Sequence, residues 1–172
     1  MEDRVFSVEI RAPVQAVWDE ITKLGKVQVP MMNTVLETDF RPGSRLRYYS
    51  PDRKYVLVIG EVIECSPPHK FAHTYVMTDL GEAPTLVTWE LHEIPQGVRV
   101  TVTHSQFSEQ SAKTHKRVKG GWAFILENLK ALIEQGEVPF KTRFQYGLFG
   151  MLMWMLPKRA RTENVAAMEK KQ

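Results

Sequence analysis

The sequence of 172 residues contains a single cysteine, Cys65, so no intramolecular disulfide can form. The first residues lack a basic stretch followed by an apolar one, and we therefore predict no signal peptide. Both absences are typical of a reducing compartment. We expect a cytoplasmic protein in which Cys65 is a free, buried thiol rather than a catalytic group.

Motifs for catalysis and for cofactors are also missing. The sequence has no Gly-x-Ser-x-Gly elbow, no His-Glu-x-x-His, no phosphate loop and no dinucleotide fingerprint. The five histidines are scattered and show no metal-ligand spacing. His104 and Ser105 are neighbours on a predicted strand, so they point to opposite faces and cannot form a nucleophile–base pair. We expect no metal and no cofactor, and we assign no catalytic residue.

Long hydrophobic runs of membrane-spanning length are absent. Phe144 to Leu156 (FQYGLFGMLMWML) is thirteen residues with one polar side chain. As a helix it would span about 20 Å, short of the roughly 30 Å hydrocarbon core. This segment is therefore not predicted to cross a membrane.

Charge is distributed unevenly along the chain, whose net charge is +3. Residues 138–172 carry +5, so residues 1–137 carry −2. A mildly acidic body argues against a nucleic-acid-binding face there, and we expect no nucleic-acid partner. The basic extension is the place to look for an acidic partner or an anionic surface. We divide the chain accordingly into a domain, 1–137, and a C-terminal extension, 138–172.

The pattern of the body predicts an antiparallel meander. Alternating residues and turn signals indicate strands at 4–11, 34–40, 45–49, 55–64, 70–77, 85–93 and 98–107. After the first strand, residues 13–22 have helical spacing, and residues 26–32 form a second short helix or an irregular turn.

The period then changes from two to between three and four. Apolar residues recur from Val118 to Ile133, which predicts a helix over 111–135 with Gly136 as its C-terminal cap. A sheet that is apolar on one face must cover that face, and only this helix is long enough. We therefore predict an α+β helix-grip fold, in which a curved antiparallel sheet wraps around a long C-terminal helix.

Several phrases of the sequence resemble the START-like (SRPBCC, helix-grip) superfamily, and within it the homologues of the activator of the heat-shock-protein-90 ATPase. They are Val8–Pro13 with Val17-Trp18, Gly60-Glu61-Val62 with Pro67-Pro68, Val87–Leu91, Val102–Ser105, and Gly121-Trp122 with Leu126. Their order carries the resemblance, which covers residues 4–136. It implies a cavity between helix and sheet that binds lipids, hormones or polyketides in related families. One fold hosts many functions, so it implies no single activity.

Alternation along the strands indicates which side chains share the inner face. The predicted lining of an internal cavity for a small hydrophobic or aromatic ligand is Trp18, His73, Tyr75, Trp89, His104, Gly121, Trp122 and Leu126. The alternative is a packed core with two hydrogen-bonded histidines. Gly120-Gly121 indicate either a close backbone approach to a ligand or to the sheet, or a kink or the true start of the helix near Gly121.

Two other functions remain open for the body of the chain. One is a protein-interaction module, such as a chaperone cofactor. The other is an enzyme of the cyclase or aromatase type, which needs only a shaped cavity and an acid or base such as His104 or Glu61.

Three interpretations remain open for Phe144 to Arg161. The segment could be an interfacial anchor on a membrane surface, with Trp154 at the boundary. It could be a Met-rich face that docks a protein partner, including a second copy in a homodimer. It could also be a helix packed on its own domain.

Overall fold

The computed structural model describes residues 1–170. Its eight strands are β1 (Arg4–Ile10), β2 (Val27–Gln28), β3 (Thr34–Glu37), β4 (Arg45–Tyr49), β5 (Val56–Ser66), β6 (Lys70–Met77), β7 (Thr85–Ile94) and β8 (Gly97–Ser105). Its α-helices are α1 (Val14–Ile21), α2 (Ala112–Gln135), α3 (Phe140–Leu152) and α4 (Thr162–Glu169).

The strands form one curved antiparallel sheet in the order β1-β8-β7-β6-β5-β4-β3-β2. From β2 to β8 each strand pairs with the next along the chain, and β1 then pairs with β8. This is the predicted meander, closed at one edge by the first strand. The fold prediction is confirmed.

The main core lies between the sheet and the long helix. Trp122, Leu126 and Leu129 of α2 pack on inward side chains of β7 and β8, including Trp89 and Val100. Because strand side chains alternate, one face of each of these strands enters the core and the other faces away. The helix therefore lies in the groove of the curved sheet, as predicted.

Both ends of α2 are fixed by local chemistry. The carboxylate of Glu82 accepts hydrogen bonds from the amides of Lys113 and Thr114, at 3.2 and 2.7 Å. These amides have no partner within the helix, and negative charge is favoured at a helix N-terminus. At the other end, Gly136 has φ of 82°, and its amide bonds the Leu132 carbonyl. The predicted bounds of this helix are correct to within one residue.

The second short helix predicted after the first strand does not form. Residues 27–28 are instead the edge strand β2, paired with Thr34 and Val35 of β3. The buried amide of Gln28 donates to the carbonyls of Glu20 and Ile21, both at 3.0 Å. These contacts satisfy free carbonyls at the end of α1, so Gln28 is held by the helix before it rather than by a helix of its own.

A second core lies on the opposite face of the sheet. Val35, Tyr49, Val56, Ile59 and Val76 are buried there against Val165 of α4.

The C-terminal extension returns across the sheet to make this second core. The Arg47 guanidinium donates two hydrogen bonds of 2.6 Å to the carboxylate of Glu169, and the Thr162 amide donates to the Lys54 carbonyl at 3.0 Å. The final helix therefore forms a strap over β3 to β6.

Helix α3 lies between α2 and the strap in chain order, and it packs against α2. Its Thr142 hydroxyl bonds the Asn128 side chain of α2 at 2.8 Å, and Tyr146 packs edge-on against Phe124. Over residues 1–170, no helix combines the length and apolarity needed to cross a bilayer.

Candidate functional site

A cavity of about 70 Å³ opens between α2, the inner face of the sheet and the turn before β3. One water needs roughly 10–15 Å³ by this kind of measure, so the space exceeds a single water site several-fold. Its lining is mainly apolar and aromatic: Met31, Met32, Thr34, Tyr48, Leu57, Val58, His73, Tyr75, Trp89, Trp122 and Ile125. A mostly apolar wall with few polar groups is the usual character of a small-molecule site.

Four of the residues predicted to line a cavity do line this one. They are His73 and Tyr75 of β6, Trp89 of β7 and Trp122 of α2. The strands bring the first three to one face by alternation, and the helix presents Trp122 opposite them, 5.5 Å from the Trp89 ring.

The other four predicted residues lie elsewhere. Trp18, Leu126 and His104 are buried in the core and are not part of the cavity wall. Gly121 precedes Trp122 on α2, which turns it away from the wall by about 100°. A Cβ added at Gly121 would meet no atom outside its own helix within 4 Å, so the predicted close approach of the backbone to the sheet is wrong. The alternative, a helix start near Gly121, is also wrong, since α2 begins at Ala112.

His73 is the polar group of most interest in the wall. Its Nδ1 lies 2.7 Å from the carbonyl oxygen of Thr74. A carbonyl only accepts, so Nδ1 carries the proton and Nε2 presents a lone pair. Nε2 is buried and has no hydrogen-bond partner among the described residues. Burial lowers the pKa of His73 to about 4, although the bond to Thr74 opposes this shift. The ring is therefore neutral at pH 7, with an unused acceptor.

The pairing of β5 with β6 shifts its register next to this ring. Val62 pairs with His73 and Glu64 pairs with Ala72, so Ile63 is an extra residue on β5. The Glu61 amide donates to the Thr74 hydroxyl at 2.8 Å. Gly60 allows the close approach here, because a Cβ at that position would lie 2.0 Å from the Thr74 carbonyl oxygen. That same carbonyl holds the His73 ring, so the glycine and the orientation of the histidine are linked.

His104 has a different environment. Its Nδ1 accepts from the indole N–H of Trp122 at 2.9 Å, and an indole nitrogen only donates. The proton must then be on Nε2, which donates to the Thr85 hydroxyl at 2.7 Å. Thr85 in turn donates to the Tyr75 carbonyl at 3.0 Å. Burial, with the nearby His73 and His115, lowers the pKa of His104 to about 3.

This series of hydrogen bonds fixes the Trp122 indole at the edge of the cavity. Both nitrogens of His104 are used, so His104 is a positioning residue. The alternative of a packed core with hydrogen-bonded histidines therefore holds for His104, whereas His73 has a hydrogen bond on only one of its two ring nitrogens.

Two tyrosines border the same space. Burial raises the pKa of Tyr48 and of Tyr75 well above the ordinary value, so both hydroxyls are neutral. The Tyr75 ring lies between the two histidines, with its centroid 6.4 Å from that of His73 and 5.0 Å from that of His104. It separates the open region from the packed one.

The remaining candidates for chemistry lie outside the cavity. Glu61 is exposed on β5, and Cys65 is half-buried with its pKa raised by burial, the opposite of an activated thiol. Within residues 1–170, no group of three or more His, Cys, Asp or Glu side chains is arranged to hold a metal ion.

Sequence reasoning missed the wall contributed by β4, β5 and the turn before β3. Tyr48 could have been found, because it shares an alternation with Leu46 and both are buried. Met31 and Met32 lie in a turn, where no periodicity indicates the direction of a side chain.

These features define the class of protein: a START-like helix-grip domain with a small, nearly apolar cavity under its long helix. The family model described as "Activator of Hsp90 ATPase homolog 1-like protein" matches residues 11–134, well over half of the chain. The chain belongs to this family, which confirms the resemblance seen in the sequence. No curated protein matches the chain significantly.

Solved structures share the fold at low sequence identity. CalU16 from Micromonospora echinospora superposes with a TM-score of 0.64 at 20% identity, over 90% of this chain and 87% of that one. MLL2253 from Mesorhizobium loti gives 0.66 at 18%, over 80% and 100%. DynU16, from the dynemicin biosynthetic locus, gives 0.65 at 21%, over 80% of this chain and 49% of that one. Such identities establish the fold and leave the ligand open.

Proposed function

We propose that the protein binds a small apolar or aromatic molecule in the cavity and that this molecule donates one hydrogen bond to Nε2 of His73. The observation that carries the proposal is the unpartnered acceptor of His73 in a mainly apolar and aromatic wall. A buried polar group without a partner costs about 1–3 kcal/mol, and a hydroxyl or N–H of a ligand would remove that cost.

The entrance supports a binding role. Met32 lines the cavity and is 39% exposed, so the space reaches the surface beside it. Met32 and Asn33 both have positive φ, 54° and 59°, a conformation that is uncommon for methionine. Pockets for drug-sized ligands measure roughly 300–1,000 Å³, whereas this cavity measures about 70 Å³. A ligand of that size therefore requires the flexible side chains of Met31 and Met32 to move outward.

Binding is favoured over the cyclase or aromatase alternative. His104 uses both ring nitrogens within the protein, and Glu61 faces solvent. His73 remains, but a pKa of about 4 makes it a weak base at neutral pH, whereas efficient general bases have pKa values near the working pH.

The test compares two probes that differ in one donor, 2-naphthol and naphthalene. Binding is followed by quenching of tryptophan fluorescence, since Trp89 and Trp122 line the cavity. The wild type should bind 2-naphthol about fivefold more tightly, the value of one neutral hydrogen bond. His73→Leu should abolish that preference without weakening the binding of naphthalene.

A filling variant tests the location. Val58→Phe should remove the binding of both probes, whereas Val5→Phe, at an exposed position on β1, should leave binding unchanged. Equal affinity of the wild type for the two probes would contradict the role of His73. Full binding by Val58→Phe would contradict the cavity as the site.

A further inference from the structure

One face of α3 and of the turn after it is apolar and exposed. On the helix the residues recur at steps of four and three, from Phe140 to Met151, and so share one side. We call the following set the α3 face: Phe140, Phe144, Leu148, Met151 and Leu152, with Trp154 and Met155 of the next turn. Their exposed fractions run from 46% to 80%, which is unusual for side chains of this size.

The exposure is fixed by contacts on the other side of the helix. Thr142 is bonded to Asn128, Tyr146 packs on Phe124, and Met153 is buried. Turning the apolar side inward would break these contacts. The α3 face is therefore presented outward by the fold itself.

The segment that carries the α3 face is basic. Residues 138–161 contain five basic residues and no acidic one: Lys141, Arg143, Lys158, Arg159 and Arg161. Arg159 donates to the Asp79 carbonyl, and Arg143 lies 3.7 Å from Glu137 in a pair exposed at both ends. An exposed ion pair such as Arg143–Glu137 contributes little, so the segment that carries the apolar side chains keeps a net positive charge.

The positive charge of this segment favours a negatively charged surface as the partner of the α3 face. Two copies of the chain joined through the α3 face would bring two basic segments together, and their repulsion opposes a dimer. An anionic lipid surface matches both properties, because acyl chains accept the apolar side chains and headgroups attract the lysines and arginines.

We propose that the α3 face lies in the interface of anionic membranes, with Trp154 at the level of the headgroups. The helix rests in the plane of the surface. It does not cross the bilayer, in keeping with the absence of a helix of spanning length in residues 1–170. The proposal is independent of the cavity and its ligand.

Vesicle sedimentation of the full chain tests the proposal. The probes are vesicles of phosphatidylcholine alone and of phosphatidylcholine mixed with phosphatidylglycerol. Binding should occur to the mixed vesicles and weaken with added salt. Trp154 should shift its emission to the blue on binding, because the other three tryptophans, Trp18, Trp89 and Trp122, are already buried. Trp154→Phe should remove that shift.

Matched variants separate the apolar and the charged contributions. Phe144→Ser with Met151→Ser should weaken vesicle binding by about a hundredfold, since two large apolar side chains no longer insert. Val5→Ser with Ile63→Ser, at exposed apolar positions of the sheet, is the control and should bind as the wild type.

For the charges, Lys141→Glu with Lys158→Glu should weaken binding at least about tenfold. Lys116→Glu with Lys119→Glu, on exposed positions of α2, makes the same change in net charge and should have a much smaller effect.

Three outcomes would overturn the proposal. The first is no binding to mixed vesicles. The second is equal binding to neutral and anionic vesicles. The third is a dimer in sedimentation velocity that Phe144→Ser with Met151→Ser dissociates, which would assign the α3 face to a second copy.

Discussion

His73 and His104 lie on the same side of the sheet, and the difference between them distinguishes the cavity from the core. Both are buried, both face α2, and burial lowers the pKa of each to about 4 and about 3. His104 has partners on both nitrogens, whereas His73 has one partner and one unused acceptor. Tyr75 separates the two rings.

Burial alone therefore does not identify a binding residue. Trp122 serves both regions, since its N–H bonds His104 and its ring lines the cavity beside His73. A buried histidine whose acceptor is already used stabilises the fold, and one whose acceptor is free can recognise a ligand.

Acidification should destabilise the protein through both histidines. In the unfolded chain each histidine binds a proton as the pH falls below its ordinary pKa of 6.5. In the folded protein, His73 binds a proton only near pH 4 and His104 only near pH 3. Stability is therefore fully present above pH 6.5 and is lost as the pH falls toward those values. Between pH 7.5 and 5 each histidine should cost about 2 kcal/mol of unfolding free energy, about 4 kcal/mol together. Urea unfolding at the two pH values measures this loss.

His73→Leu should remove about half of that acid sensitivity, and so should His104→Leu. An unfolding free energy that does not change between pH 7.5 and 5 would contradict the burial of both rings.

His104→Leu should destabilise the protein by about 3 kcal/mol at pH 7.5. The indole N–H of Trp122 would lose its acceptor inside the core, and an unsatisfied buried donor costs about 1–3 kcal/mol in addition to the lost hydrogen bond. Urea unfolding gives the value, and Trp122→Phe in the same background is the control. Since Phe has no N–H, the double variant should be less destabilised than the sum of the two single changes.

His73→Leu should change stability by less than about 1 kcal/mol at pH 7.5. The change removes one hydrogen bond, to the Thr74 carbonyl, but also removes the unpartnered Nε2. These two effects oppose each other, so the net change is small. A loss comparable to that of His104→Leu would show that Nε2 has a partner in solution and would remove the basis of the proposed hydrogen bond to a ligand.

The body of the fold could be predicted because its signals are local. Strands β4 and β6 and the helix α2 have bounds that match the predicted ones to within one residue. Each combines a clear period with a turn signal, such as Gly136 at the end of α2. The edge strand β2 could not be predicted, because two residues show no period and Gln28 is held by carbonyls of the preceding helix.

The site was predictable only in part, for a related reason. Alternation correctly placed His73, Tyr75, Trp89 and His104 on the inner face. It cannot show which of the two histidines accepts the hydrogen bond from Trp122 and which is left with a free acceptor. The strap was missed although β5 carries a signal for it. The run Val56-Leu57-Val58-Ile59 is continuous rather than alternating, which indicates a strand covered on both faces.

The strap predicts a sequence difference between this protein and homologues that lack it. Val35, Val56, Ile59 and Val76 are apolar here because α4 covers them. A homologue that ends with the long helix would leave this patch to water and to strand-pairing neighbours. Such homologues should therefore have threonine, lysine or glutamate at the corresponding positions. The absence of the strap and these polar residues should occur in the same proteins.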